Sequence, residues 1–160
     1  RIWEDDLVKI IQASGEVGGK NKKQDLFRYH DKNGSDYDVK ANHINEYLDA
    51  VIPNHASITA KDFRTWAATW KTAHRLSRQL DPDTERARKR VANDVVKTVA
   101  ADLGNTPTVC RSSYIHPTIL SDWASGKFRS KWNKAGKGNK HRGLTREETV
   151  TFNYLKNSND

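Results

Sequence analysis

Side chains that can act on a phosphate group fall in three short stretches of this 160-residue sequence. Residues 61–66 (Lys-Asp-Phe-Arg-Thr-Trp) include Arg64, residues 103–107 (Leu-Gly-Asn-Thr-Pro) include Asn105, and residues 111–117 (Arg-Ser-Ser-Tyr-Ile-His-Pro) include Tyr114. A guanidinium can donate to two phosphate oxygens, a carboxamide can donate one neutral hydrogen bond, and a phenol oxygen can attack phosphorus. Such donors would stabilise a five-coordinate phosphate whose non-bridging oxygens gain charge.

A tyrosine nucleophile needs activation, because a free tyrosine has a pKa of about 10 and is mostly protonated at neutral pH. Arg64 and Arg111 could supply a cationic environment that favours the phenolate. No metal is indicated, since none of the six histidines pairs with another His or with the single cysteine at ligand spacing. The acidic residues do not cluster as a two-metal site requires.

Each of the three side chains also has a structural interpretation. Tyr114 is one of five tyrosines and could be a half-buried core residue. Arg64 could be a surface ion-pair partner of Asp62. Asn105 follows Gly104 and could be a left-handed or N-cap residue, an interpretation that we hold equal to the functional one.

Apolar residues recur at helical spacing along most of the chain. The pattern predicts a helix over residues 2–13, a second with the apolar stripe Ile44, Tyr47, Leu48 and Val51, and a central one with an apolar face from Phe63 to Leu80. It also predicts a fourth helix from about Thr84 to Leu103, a short one that begins with Thr106 and Pro107 and carries Tyr114, and a last one from Thr145. Gly104 suits a left-handed helix exit, and His116 suits a cap or packing role before Pro117. Strand signals are scarce.

Residues 126–143 contain seven Lys or Arg residues and no acidic residue. A segment of this composition is not expected to bury itself, so we predict a flexible basic arm. The arm from Lys127 to Arg142 has two interpretations of similar weight, a solvated linker and a contact with a DNA backbone.

The overall charge favours a polyanionic partner, because 28 Lys and Arg outnumber 20 Asp and Glu and give a formal charge of +8. No apolar run approaches the roughly 20 residues that cross a bilayer, and no leader resembles a signal peptide. The single cysteine, Cys110, fits a reducing compartment and a packing role. We therefore expect a cytoplasmic, nucleoid-associated protein. The sequence starts at Arg1 and has no methionine, so we expect a segment to be missing upstream.

Together the three motifs resemble the signature of type IB DNA topoisomerases, particularly the short bacterial and poxvirus-like branch. The likeness includes the Leu-Phe-Arg-Tyr stretch at 26–29 and the Asn-Glu-Tyr-Leu stretch at 45–48, and it extends to about Gly126. The resemblance implies a mainly α fold, a multi-helix catalytic subdomain of the topoisomerase IB or tyrosine recombinase type with little strand.

The resemblance also implies site residues and a reaction. Tyr114 matches the nucleophile, which forms a 3′-phosphotyrosyl bond so that supercoils relax before the attack reverses. Arg64 matches one of two phosphate-binding arginines, and Asn105 stands where many relatives have histidine. The residues expected to contact DNA without taking part in the chemistry are Lys61, Arg111, Ser112, Ser113, Lys127, Arg129 and Lys131.

Further expectations concern organisation and partners. Residues 1–125 would form the helical part of the catalytic domain, 126–143 the basic arm and 144–160 a C-terminal helix. The family's general-acid lysine, its further phosphate-binding arginine and its amino-terminal clamp would lie upstream, so this chain alone should relax DNA poorly. Double-stranded DNA is the expected partner of a monomer, with no membrane, metal, ATP or other cofactor.

Two rival functions are considered. Tyrosine recombinases commonly carry a histidine three residues before the matching arginine and a Gly-His pair, whereas this chain has Lys61 and Gly104-Asn105. Both differences favour the topoisomerase. A non-catalytic DNA-binding module with a degenerate site is the other rival, and its function would not change with Tyr114→Phe.

Overall fold

A computed structural model of the chain describes residues 5–17, 27–52 and 57–158. These residues form eight helices and one two-stranded sheet, which confirms the predicted mainly helical fold class. The chain divides into two compact units, residues 1–60 and 61–160. Within the described ranges, no helix is long and apolar enough to cross a membrane.

The first unit contains two helices and a hairpin, namely α1 (Asp5–Glu16), β1 (Arg28–His30), β2 (Asp36–Asp38) and α2 (Ala41–Val51). The strands are antiparallel with Tyr29 opposite Tyr37. The turn is closed by the Asp31 carboxylate, which accepts hydrogen bonds from the backbone of Asn33 and Ser35, and Gly34 takes a positive φ of 79°. Residues 31–34 therefore form a turn that connects β1 and β2.

The helix predicted around residues 44–51 is confirmed as α2, but its apolar stripe is largely exposed. Ile44, Tyr47 and Val51 expose 42%, 65% and 53% of their surface. Residues 2–4 of the predicted first helix lie outside the described residues, as does Pro53, which follows α2 in the sequence.

The second unit is a cluster of six helices, α3 (Ala60–Ser77), α4 (Glu85–Asp102), α5 (Pro107–Ser113), α6 (Pro117–Ala124), α7 (Phe128–Ala135) and α8 (Arg146–Lys156). α4 packs against α5 and α6, and α7 packs against α8. The largest fully buried side chains are Trp123, Tyr154 and Phe128. Aromatic rings from α6, α7 and α8 thus form one continuous part of the core.

The buried face of α3 differs from the predicted one. Its buried residues are Ala68, Thr69, Thr72, Ala73 and Leu76, which share one side of the helix. Phe63 is 58% exposed because residue 63 lies off that face, about 140° around the helix from residue 68. Leu80 is 90% exposed because α3 ends at Ser77. The prediction of an apolar face from Phe63 to Leu80 was therefore wrong at both ends.

Helix caps follow the sequence prediction closely. The Thr84 side chain accepts a hydrogen bond from Ala87 N–H at the start of α4, and Gly104 after its end has a φ of 65°. Thr145 and Glu148 form a reciprocal capping box at the start of α8. Each of these motifs is local, so the sequence alone specifies it.

A structural arginine joins three elements of the second unit. Arg88, on α4, donates to the carbonyl oxygen of Ala124 at 2.9 Å and to that of Pro82 at 2.7 Å. Its own carbonyl accepts from the indole of the buried Trp123 at 2.8 Å. The guanidinium of Arg88 therefore stabilises the fold by donating to backbone carbonyl groups.

The predicted flexible basic arm needs correction over residues 128–135. This stretch forms α7, and both Phe128 and Ala135 are buried in the core. Phe128, Trp132 and Ala135 stand at helical spacing, so one face of the helix is apolar although the segment as a whole is strongly basic. The prediction that this segment does not bury itself was wrong. The division of the chain after residues 125 and 143 otherwise remains a prediction.

Candidate active site

The short helix α5 ends at Tyr114. Thr106 caps it by accepting from Val109 N–H, Pro107 occupies its first position as predicted, and Tyr114 N–H donates to Cys110 O at 3.2 Å. Cys110 is fully buried, and burial raises the pKa of its thiol, which fits the packing role predicted for it. Tyr114 therefore lies at the carboxyl end of α5, a helix that Cys110 anchors in the core.

Arg64 and Tyr114 are brought together. The guanidinium carbon of Arg64 lies 5.9 Å from the centroid of the Tyr114 ring, within the range of a cation–π contact. Arg64 is exposed and Tyr114 is half-buried, so the pair lies at the protein surface.

Thr69 links α3 to the backbone on either side of Ile115. Its hydroxyl donates to Tyr114 O at 3.1 Å and accepts from His116 N–H, also at 3.1 Å. Thr69 is only 2% exposed. Sequence reasoning missed this residue because a threonine on an apolar helix face carries no signal of its partner.

His116 has the capping role expected for it. Its Nδ1 accepts from Thr118 N–H at 3.4 Å, and Pro117 occupies the first position of α6. The half-buried side chain therefore starts the helix that follows the Tyr114 turn.

Asn105 lies just ahead of α5, whose N-cap is Thr106, so the prediction that Asn105 is an N-cap was wrong. Its backbone N–H donates to Ala100 O at 2.8 Å, beyond the left-handed Gly104 that follows α4. Its side-chain nitrogen is buried, and among the described residues it has no hydrogen-bond partner. An unpaired buried donor costs free energy, so it calls for an explanation such as an absent ligand. α5 is about 10 Å long, which places Asn105 and Tyr114 at opposite ends of one short helix. No contact within the described ranges joins them.

The predicted DNA contacts near Tyr114 are exposed. Arg111 donates to the Asn93 side chain on α4 at 2.6 Å, which orients its guanidinium. The hydroxyl oxygens of Ser112 and Ser113 lie 3.3 Å apart, and Lys61 is exposed in the first turn of α3. All four side chains belong to α3 or α5, the two helices that bring Arg64 and Tyr114 together.

The predicted contacts on α7 are different, because two of the three are held internally. Arg129 donates to the carbonyl oxygens of Ser77 and Gln79. Lys131 forms an ion pair with Asp122 in which nitrogen and oxygen are 2.7 Å apart. Lys127 is exposed at the start of α7 without a side-chain cap bond. The structure therefore gives Arg129 and Lys131 roles in joining elements of the fold.

Glu148 connects the last helix with the helix that carries Arg64. The carboxylate accepts from the Trp66 indole at 3.1 Å and from the backbone and hydroxyl of Thr145, each at 2.9 Å. Burial raises the pKa of Glu148, but these three hydrogen bonds outweigh that effect and hold it below its ordinary value. Trp66 thereby fixes the amino-terminal half of α3 against α8.

No group of three or more His, Cys, Asp or Glu side chains in the described ranges is arranged to hold a metal ion. The site as described therefore consists of an exposed guanidinium over a phenol, flanked by exposed basic and hydroxyl groups.

Comparison with known families gives one match. Residues 4–155 match the family model described as the catalytic core of eukaryotic DNA topoisomerase I. The matched range covers most of the chain and contains all three motifs around Arg64, Asn105 and Tyr114. A comparison with curated proteins finds no match.

Proposed function

The chain belongs to the type IB DNA topoisomerase family, and from this premise we propose that Tyr114 is the nucleophile that cuts one strand of double-stranded DNA. The observation that supports this most is the contact of Tyr114 with Arg64, because it places a guanidinium that can bind phosphate oxygens beside the proposed nucleophile. Tyr114 also lies at the surface, where a DNA strand can reach it.

The proposed step exchanges one phosphoester bond for another. The Tyr114 oxygen gives up its proton and attacks phosphorus, the bond from phosphorus to the 5′ oxygen breaks, and the leaving 5′ oxygen takes up one proton, so the number of protons is unchanged. The product is a 3′-phosphotyrosyl bond, and the reverse attack by the 5′ hydroxyl restores the strand. Between the two steps the cut strand rotates, so that supercoils relax. Arg64 stabilises the charge that develops on the non-bridging oxygens, and the family resemblance supports this role.

Asn105 is proposed as a neutral donor to the same phosphate. Its unpaired side-chain nitrogen supports this role, since a phosphate oxygen would satisfy it. The nitrogen is covered in the structure, so the side chain would have to rotate when DNA binds. The Leu-Gly-Asn-Thr-Pro stretch also supports our assignment of the chain to the short bacterial and poxvirus-like branch.

DNA would be held by the exposed groups beside Tyr114. Lys61, Arg111, Ser112 and Ser113 can donate to phosphate oxygens, a kind of contact that positions the duplex without reading its sequence. Lys127 is a further candidate on α7. We accordingly propose a DNA-associated location for a protein that acts as a monomer, without a metal ion or ATP.

The test is covalent trapping of DNA. The protein at its full natural length is incubated with nicked or supercoiled DNA, denatured, and the adduct is mapped by peptide mass. We expect the adduct on Tyr114 and none with Tyr114→Phe, whereas Tyr47→Phe, which changes a tyrosine that is 65% exposed, should behave as wild type. An adduct that persists in Tyr114→Phe would refute the proposal.

The same protein variants also distinguish a topoisomerase from a tyrosine recombinase and from a non-catalytic DNA-binding module. A topoisomerase relaxes a single supercoiled circle, while a recombinase exchanges strands between two recombining sites. A non-catalytic DNA-binding module would bind DNA equally well with or without the Tyr114 hydroxyl and would form no adduct.

A further inference from the structure

We propose that Thr69 is a positioning residue for strand cleavage, because its side chain fixes the backbone of Tyr114 to the helix that carries Arg64. This inference rests on the proposed role of Tyr114 as the nucleophile. Thr69 would act through Tyr114 and would not touch DNA itself, since it is 2% exposed.

One hydroxyl makes both of the required bonds. It donates to Tyr114 O and accepts from His116 N–H, each at 3.1 Å. The carbonyl groups in the last turn of a helix have no partner within that helix, so Tyr114 O at the end of α5 needs a hydrogen-bond donor from another element. His116 lies at the start of α6, and Thr69 therefore holds the turn between two helices as well as the nucleophile.

The position of Thr69 on α3 gives these bonds a consequence for geometry. Thr69 follows Arg64 by five residues, which is about 7.5 Å along a helix. A helix of this length is stiff, so the place of the Arg64 backbone relative to the Tyr114 backbone is set through the Thr69 hydroxyl. The guanidinium and the phenol must meet at one phosphate, and small displacements of reacting groups are costly.

The same helix offers a matched control. Thr72 is 0% exposed and lies one turn further along α3, and within the described residues its hydroxyl has no hydrogen-bond partner. Replacing either threonine by valine keeps the side-chain volume and removes one buried hydroxyl. Only the change at Thr69 removes bonds to the Tyr114 turn.

The experiment measures single-turnover cleavage and religation at saturating DNA, together with the dissociation constant for DNA and the melting temperature. Thr69→Val should slow cleavage about 10- to 100-fold. Religation should slow by the same factor, so the fraction of protein in covalent complex at equilibrium stays unchanged. The dissociation constant should also stay unchanged. Thr69→Ser, which keeps the hydroxyl, should restore the rates, and Thr72→Val should cleave as wild type.

Several results would overturn the inference. Wild-type cleavage by Thr69→Val, or equal losses in Thr69→Val and Thr72→Val, would show that the hydroxyl has no positioning role. If Thr69→Val does not fold, Thr69→Ala replaces it, and wild-type cleavage by that variant would refute the inference equally. Adduct formation by Tyr114→Phe, included in the same series, would instead refute the proposed function, so the two failures are distinguishable.

Discussion

Lys131 offers a direct choice between a DNA contact and a structural role. Its ammonium group and the Tyr154 hydroxyl both lie 2.7 Å from the same Asp122 oxygen. Tyr154 is 1% exposed and Asp122 is 7% exposed. Burial and the neighbouring Asp122 raise the pKa of Tyr154 well above its ordinary value, so the phenol remains a hydrogen-bond donor. The three residues thereby join α6, α7 and α8.

The expected losses of stability follow from exposure. Tyr154→Phe removes a hydrogen bond to a charged acceptor inside the core, which costs about 2 kcal/mol in the free energy of unfolding. The Lys131 side chain is 43% exposed, so solvent screening reduces the cost of Lys131→Met to about 1 kcal/mol. Removing both donors leaves the buried Asp122 carboxylate without either hydrogen bond, and we expect this to lower the free energy of unfolding by about 4 kcal/mol. The double variant should thus lose more than the sum of the single variants.

Urea unfolding of the three variants and the wild type measures these losses. Lys134→Met is the matched control, since Lys134 lies on α7, is exposed, and has no ion-pair partner in the described ranges. It should not change stability. In DNA-binding assays at fixed salt, Lys131→Met should weaken binding no more than Lys134→Met does. A Lys131→Met protein with wild-type stability and a distinctly larger loss of DNA affinity than the control would refute this reasoning.

Two further predictions concern pH and the reaction. The pKa of Glu148 is lowered below 4.5 in the folded protein, so its stabilising effect is present above that pH and disappears as the pH falls through the folded value. Glu148→Gln should therefore lower the free energy of unfolding at about pH 7, and this loss should shrink as the pH falls, as urea titrations over a series of acidic pH values would reveal. Asn105→Ala should slow adduct formation about 100-fold, while Asn105→His, which retains a donor, should stay active; equal rates for Asn105→Ala and wild type would contradict the proposed role.

Local chemistry explains which parts of the fold could be predicted from the sequence. The caps at Thr84, Thr106 and Thr145 and the left-handed Gly104 depend on a few neighbouring residues, and all are found. α7 was missed because its basic composition, averaged over the segment, concealed an apolar stripe that begins at Phe128.

The candidate site could be predicted only in part, because some of its residues stand in local motifs and others are connected only by the fold. Tyr114 and Arg64 stand in motifs that identify them, and the structure brings them together. Thr69 could not be predicted, because its bonds join residues that are more than 40 positions apart in the chain. The internal contacts of Arg129 and Lys131 likewise depend on which elements pack beside α7.

The inward contacts of Arg129 also affect how the charge of +8 should be understood. Each phosphate that a protein neutralises releases counterions, and the salt dependence of DNA binding counts those phosphates. A guanidinium already committed to backbone carbonyls, as in Arg129 and Arg88, adds to the formal charge but is not free to displace a counterion. The valence of DNA binding is therefore set by the cations that face solvent, and a tally of basic residues overstates it.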